Sequence, residues 1–244
     1  MSNCLYRLPR PWRAAALAAL LLAVCLPLAA QQPVPAPKDA KINIFAVLSP
    51  EIEAAAKTCS QDLFDQEHLS TFPQLGFQVH CTLYMTSYPP AALDQLKDLA
   101  ASFAATVKPF PATTTGMSIT KDNWFFLNVE RDRNLQTLCD EVVKMASPLR
   151  SPTSFIPDWA KDNPEKVECI KKYGSPNVFS QFEPHLTLLA KADGAALQRF
   201  VAANAQNPAY ATPIAGRVVG IGLGEADRNG QIATPTAIFL FPAN

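Results

Sequence analysis

The sequence predicts a bilobal α+β fold, in which two antiparallel sheets flank a central cleft and helices lie on the outside. Three observations favour this fold. Histidine and threonine recur two residues apart in two apolar segments, at His80 and Thr82 and again at His185 and Thr187. An amphipathic helix is predicted to begin ten residues after the first histidine and nine after the second. A pair of strands follows each helix, so the chain repeats one strand, helix, strand, strand unit.

The first elements precede the first motif. Residues 41–48 alternate in the manner of a strand, with isoleucine at positions 42 and 44. Ser49, Pro50 and Glu51 then supply a cap, a first-turn proline and a first-turn acid for a helix. We therefore expect the globular body to begin at Lys41 with a strand and a helix.

The remaining elements follow the two motifs. Strand pairs are predicted at 116–119 and 124–129 in the first unit, and at 217–223 and 237–241 in the second. Asp132 is placed to cap another helix that runs to about Met145. Residues 146–181 are rich in proline, charge and scattered aromatic side chains. This excursion is interpreted either as a lid or specificity element or as a plain structural insertion.

The motifs indicate a shared site. Side chains two positions apart on a strand point to the same face, so each copy offers one imidazole and one hydroxyl to a bound group. Cys81, between His80 and Thr82, should face the opposite side of its strand. Two such copies predict an active site with a contribution from each unit.

The amino terminus is typical of a secretory signal peptide. Arg7, Arg10 and Arg13 precede the apolar run 14–28, which is too short to span a bilayer. We expect a signal peptide at 1–30, a proline-rich tether at 31–40 and one domain at 41–244, in a secreted or periplasmic protein. Lipid attachment at Cys25 is the less favoured alternative, because Val24 stands where a small residue is usual. No later segment is apolar and long enough to be transmembrane.

Four cysteines follow the predicted cleavage point: Cys59, Cys81, Cys139 and Cys169. In an oxidising compartment they permit up to two disulfides, in any of three pairings. Buried free thiols are an equal alternative for Cys81. The spacing contains no CxxC pair, so a zinc site is not expected.

A family resemblance rests on the second motif. Residues 182–189 read Phe-Glu-Pro-His-Leu-Thr-Leu-Leu, with Pro184 directly before the histidine. This segment, its counterpart at His80 and the duplication resemble the two-histidine (2H) phosphoesterase superfamily, in its LigT-like group of 2′-5′ RNA ligases and cyclic phosphodiesterases. The resemblance spans residues 41–242 apart from the excursion. It implies a duplicated LigT-like fold with His80 and His185 as catalytic residues.

A bare His-x-Ser/Thr pattern by itself carries little information. His68 and Ser70 also meet it, yet Thr71 is polar where the motif has an apolar residue, and we interpret His68 as a surface residue at a frayed helix end. The alternative for His80 and His185 is a pair of buried histidines satisfied by neighbouring hydroxyls.

Phosphodiester cleavage needs a base, an acid and donors for the non-bridging oxygens. One histidine is expected to act as general base and the other as general acid, in roles that the sequence leaves open. Histidine suits both, because its unperturbed pKa of about 6.5 permits either charge state near neutral pH. Thr82 and Thr187 are expected to bind the phosphate. We expect no metal and no cofactor; Glu183 is the nearest acid for the less favoured metal site.

The resemblance implies a small nucleotide or short oligonucleotide substrate with a 2′,3′-cyclic phosphate or a 2′-5′ linkage. Removal of the signal peptide takes three arginines and no acid, so the formal charge falls from 0 to −3. With no basic stretch, an extended nucleic-acid footprint is not expected. Hydrolysis by a monomer is favoured; the alternatives are 2′-5′ RNA ligase activity or a non-catalytic secreted nucleotide-binding module. The aromatic side chains that could stack on a base are Tyr84, Trp124, Tyr173 and Phe179.

Overall fold

The computed structural model describes residues 38–152 and 155–243. The predicted signal peptide and positions 31–37 of the predicted tether lie outside these residues. The described part contains seven strands and five α-helices in the following order: β1 Ala40–Leu48, α1 Pro50–Glu67, β2 Cys81–Tyr88, α2 Leu93–Ala104, β3 Phe110–Ile119, β4 Phe125–Val129, α3 Arg133–Ala146, α4 Pro164–Tyr173, β5 His185–Leu189, α5 Gly194–Ala203, β6 Ala215–Glu225 and β7 Ala237–Leu240.

Local signals fix the helix boundaries. Ser49 occupies the N-cap position of α1, but its hydroxyl accepts a hydrogen bond from the backbone N–H of Arg217 in β6. Asp132 caps α3 as predicted, because its carboxylate accepts from the N–H of Leu135 at 2.7 Å. Asp193 caps α5 in the same way. The repeated unit is confirmed as β2-α2-β3-β4 and β5-α5-β6-β7.

The strands pair in an antiparallel sheet that closes on itself. The order is β1-β2-β5-β4-β3-β6-β7, and an additional pairing joins β1 to β6. Strands β2-β1-β6-β7 form one extensively paired group, and β5-β4-β3 form another. The two groups meet through the single pair Cys81 and Leu186 between β2 and β5, and through residues 110–113 of β3 against 215–218 of β6. The α+β class with a large antiparallel sheet is therefore confirmed.

The expected division into two lobes is not confirmed. Strands β6 and β7 of the second unit pair beside β1, whereas β3 and β4 of the first unit pair with β5. The described residues between 38 and 243 fall within one compact unit. The two predicted antiparallel sheets correspond to the two groups of strands, which are joined at both sides into one sheet.

The excursion at 146–181 contains ordered structure. Helix α4 lies within it, between short 3₁₀ turns at 158–160 and 179–181. It packs on β2: the hydroxyl of Tyr84 donates to the carbonyl of Tyr173 at 2.5 Å, and that of Thr86 donates to the carbonyl of Gly174 at 3.1 Å. The segment thereby covers the end of β2 that is remote from the first motif.

Candidate active site

One backbone pair brings the two motifs together. Cys81 of β2 is the antiparallel partner of Leu186 of β5, and both side chains are buried in the core. Neighbours on either side of each residue must therefore point to the opposite face of the sheet. The register of this pair sets each histidine level with the threonine of the other motif. The four side chains that share the face are His80, Thr82, His185 and Thr187.

The two imidazole rings are held in the same manner. Nδ1 of His80 lies 2.8 Å from the carbonyl oxygen of Gln78, and Nδ1 of His185 lies 2.7 Å from that of Glu183. A carbonyl oxygen only accepts, so Nδ1 is the donor in both rings. Each histidine is thus bonded to the backbone two residues before it, and Nε2 is left for other partners.

The ring of His80 lies in a buried, mainly uncharged environment. Phe45 contacts it edge to face, with ring centroids 5.5 Å apart. Burial lowers the pKa of His80 to about 4, and the positive charge that His185 can carry acts in the same direction. The carbonyls of Gln78 and Gly230 oppose this lowering. His80 is therefore neutral over most of the physiological pH range, and the two rings are close enough to interact.

Room for this arrangement comes from a glycine on the neighbouring strand. Gly222 of β6 pairs with Phe45 of β1. A Cβ atom at Gly222 would lie 2.3 Å from the Phe45 ring, well inside contact distance. The absence of a side chain at this position allows the Phe45 ring to lie against β6 and to contact His80.

His185 is partly exposed and has charged neighbours. Its ring stacks on Phe126 of β4, with centroids 3.9 Å apart and an interplanar angle of 18°. Burial lowers the pKa of His185, whereas the backbone carbonyl and the carboxylate of Glu183 raise it. Lys166 of α4 lowers it, and its Nζ lies 3.2 Å from Glu183 Oε1. The excursion thus contributes a charge that acts on the second histidine.

A cleft of about 390 Å³ opens beside His185. Its floor comes from β3 and β4, which supply hydroxyl, amide and aromatic side chains. The hydroxyl of Ser118 donates to Asn128 Oδ1 at 2.9 Å, and Arg131 adds a guanidinium at the rim. The lining residues are Ser118, Thr120, Phe126, Asn128, Arg131, Phe182, Glu183, Pro184 and His185.

Several site residues were missed from the sequence. Asn43 of β1 contacts both His80 and Thr82, and its signal was a polar residue between two isoleucines of a predicted strand. Phe126 and Lys166 carried no signal, because only the sheet order and the fold of the excursion place them beside His185. Tyr84 is fully buried, which removes it from the aromatic side chains that could stack on a base.

The other sequence interpretations concern histidine and cysteine. His68 is exposed at the end of α1, as predicted. All four cysteines of the described part are free thiols, and Cys81 is buried on the side of β2 opposite His80. Within residues 38–152 and 155–243, no group of three or more His, Cys, Asp or Glu side chains is arranged to hold a metal ion. No helix in those ranges is long and apolar enough to cross a membrane.

The repeated unit, the large antiparallel sheet and the facing His-x-Thr strands define an α+β class of protein with a duplicated strand, helix, strand, strand unit. The chain is similar to TT0787 of Thermus thermophilus, with 18% identity, a TM-score of 0.49, and coverage of 84% of this chain and 99% of that one.

Two further structures are similar over comparable lengths. E. coli LigT complexed with 3′-AMP is 15% identical, with a TM-score of 0.47 and coverage of 84% and 99%. Usb1 of Kluyveromyces marxianus is 12% identical, with a TM-score of 0.44 and coverage of 84% and 97%.

The chain belongs to the family described as "Protein of unknown function (DUF1045)", whose model matches residues 85–231. The matched range contains His185 and Thr187 and begins five residues after His80. A search of curated proteins found no match.

Proposed function

We propose that the protein is an exported, metal-independent phosphodiesterase that hydrolyses small nucleotide phosphodiesters by two-histidine acid–base catalysis. The observation that carries the proposal is the matched hydrogen bonding of the two motifs. Each imidazole donates Nδ1–H to the carbonyl two residues before it, and each is accompanied on the same strand face by a threonine. Two rings held alike on one face suit one substrate that needs both a base and an acid.

The reaction requires two proton transfers and one displacement at phosphorus. One imidazole takes a proton through Nε2 from the attacking water, whose oxygen forms a bond to phosphorus. The bond from phosphorus to the leaving oxygen breaks, and the other imidazole gives its Nε2 proton to that oxygen. Proton exchange with solvent then resets both rings. Thr82 and Thr187 donate to the non-bridging oxygens in this proposal.

The cleft beside His185 supports a small substrate. Phe126 offers an aromatic wall, Ser118 and Asn128 offer neutral polar groups, and Arg131 offers a positive charge. A volume of about 390 Å³ suits a nucleoside better than a long polymer. We therefore propose a 2′,3′-cyclic phosphate or a 2′-5′ linkage in a short oligonucleotide as the scissile group.

The three histidines of the chain supply a matched set of variants. Purified protein is incubated with 2′,3′-cyclic nucleotides and 2′-5′ dinucleotides, beside His80→Ala, His185→Ala and the exposed control His68→Ala. Loss of an acid or base typically costs 10²–10⁴-fold in rate. We expect a loss of that order in the first two variants and parent activity in the third.

Other outcomes of this assay would contradict the proposal. Turnover that survives in both His80→Ala and His185→Ala would place the chemistry elsewhere. Tight nucleotide binding without turnover would indicate a binding module, and joining of 2′,3′-cyclic ends in place of their hydrolysis would indicate a ligase. Export is tested separately, by a cell fractionation in which mature protein beginning at Gln31 is expected outside the cytoplasm.

A further inference from the structure

Asn43 connects the first motif to two other parts of the fold. Its side chain is fully buried in β1. Nδ2 lies 3.1 Å from Nε2 of His80, 2.9 Å from Oγ1 of Thr82 and 3.1 Å from the carbonyl oxygen of Gly230. One amide therefore contacts the histidine and the threonine of the first motif, and also the loop between β6 and β7.

The partners determine the orientation of the amide. The carbonyl of Gly230 only accepts, so the atom that faces it must be the NH₂ group. The reversed amide would set its oxygen against that carbonyl. With NH₂ in this place, Nε2 of His80 must accept, which agrees with the donation by Nδ1 to Gln78. An imidazolium would direct Nε2–H at the NH₂ group of Asn43, so the amide favours the neutral ring, whereas the carbonyl of Gly230 acts in the opposite direction.

The NH₂ group of Asn43 has fewer hydrogens than it has neighbouring acceptors. The NH₂ group of Asn43 has two hydrogens, and three acceptors lie within 3.1 Å of it. When the attacking water donates to Nε2 of His80, Asn43 keeps both of its bonds through Thr82 and Gly230. Nε2 can therefore exchange its bond from the amide for one from the attacking water without leaving a buried donor unpaired.

We propose that Asn43 is a positioning residue that holds His80 neutral with the Nε2 lone pair available, and so makes His80 the base that accepts the proton of the attacking water. This assignment rests on the proposed function. Thr82 accepts from Asn43, and its own hydrogen is thereby left to bond a phosphate oxygen. His185 has a different environment, in which burial and Lys166 lower its pKa and Glu183 raises it. With His80 as the base, His185 is left as the acid.

The charges around the two rings make the proposal testable by pH. The charged group that acts on His80 is His185, whereas Glu183 and Lys166 act on His185. In Asn43→Asp a carboxylate of similar size replaces the amide beside Nε2 and stabilises the imidazolium. In Asn43→Leu the donor is removed and the volume is nearly kept. Asn204→Asp serves as the control, because Asn204 is also buried but is bonded to Gln66 and Tyr210.

The experiment measures the ¹⁵N shifts of the imidazole nitrogens by NMR and the pH profile of kcat/KM on a 2′,3′-cyclic nucleotide. In the parent and in Asn204→Asp, His80 should carry its proton on Nδ1 at neutral pH. In Asn43→Asp, we expect the titration of His80 and the acidic limb of kcat/KM to move together to higher pH. In Asn43→Leu, kcat/KM should fall at least tenfold.

Each half of the experiment can overturn a different statement. Protonation of His80 at Nε2 in the parent, or an unmoved titration in Asn43→Asp, would overturn the role of Asn43. If the His80 titration moves in Asn43→Asp but the acidic limb of kcat/KM does not, the assignment of His80 as the base would be wrong. No turnover by the parent would instead reject the proposed function, together with the base assignment, whatever the NMR shows.

Discussion

Cys81 of the first motif pairs with Leu186 of the second, and this pair joins two strands that lie more than a hundred residues apart in the chain. Both side chains point into the core, and for this reason the histidine and threonine of each motif point away from it. The motifs are therefore neighbours because of strand register, and the site follows from the same pairing that closes the ring of strands.

The pH optimum should lie on the acid side of neutrality. A base at His80 must be neutral, and its lowered pKa of about 4 keeps it so well below the pKa of a free histidine. An acid at His185 must be protonated, and burial lowers the pKa of that ring below 6.5. A bell-shaped profile of kcat/KM with both limbs below about pH 6.5 is expected. An optimum above pH 8 would contradict these assignments.

Substitutions of Lys166 and of Glu183 should move the basic limb of that profile in opposite directions. Lys166 lowers the pKa of His185 and Glu183 raises it. In Lys166→Met the basic limb of kcat/KM is expected at higher pH than in the parent, and in Glu183→Gln at lower pH. The acidic limb should be unaffected in both. Movement of the basic limb in the same direction in both variants would show that their charges do not act on His185.

The stability of the protein should also depend on His80. Since the folded state lowers the pKa of His80, the unfolded chain binds the proton more tightly. The contribution of His80 to stability is full above pH 6.5 and is lost as the pH falls from 6.5 towards 4. The slope is roughly 1.4 kcal/mol per pH unit, or about 3 kcal/mol over the interval. Urea unfolding at several pH values checks this, and His80→Gln should show a smaller slope.

Gly222→Ala should damage both the fold and the site. The added methyl would lie 2.3 Å from the Phe45 ring, which contacts His80. Overpacking of this kind costs about 1–3 kcal/mol, and displacement of the ring should lower activity as well. Phe45→Leu in the same chain frees the space and should recover part of the stability. If Gly222→Ala were as stable as the parent, the fold would have accommodated the methyl group by a shift of the strands, and the predicted destabilisation would be wrong.

Activity should persist in excess chelator. The proposed chemistry uses two imidazoles and two hydroxyls, and no step in it requires a cation. Turnover of a 2′,3′-cyclic nucleotide is expected to be unchanged after incubation with EDTA. Loss of turnover that a divalent ion restores would replace the metal-free mechanism by one in which the ion supplies the charge.

Local sequence signals predicted most of the secondary structure correctly. The carboxylate of Asp132 reaches only the next turn of the chain, so it marks the start of α3 in any fold that contains that helix. Alternation in β1 and the apolar frames around the two histidines likewise depend on neighbours in sequence. The paired motifs predicted the four candidate side chains for the same reason, since positions two apart share a face of any strand.

Local sequence signals could not predict the contacts between distant segments. The exchange of strands between the repeats depends on the pairing of β1 with β6 and of β4 with β5, and neither pairing has a local signal. Asn43 becomes part of the site through the pairing of β1 with β2, and Phe126 through that of β4 with β5. Lys166 joins them through the packing of the excursion. The sequence by itself determined which residues could perform the chemistry. The tertiary structure decided which partners surround each ring, because burial and neighbouring charges, which set the proton affinity of an imidazole, come from segments far apart in the chain.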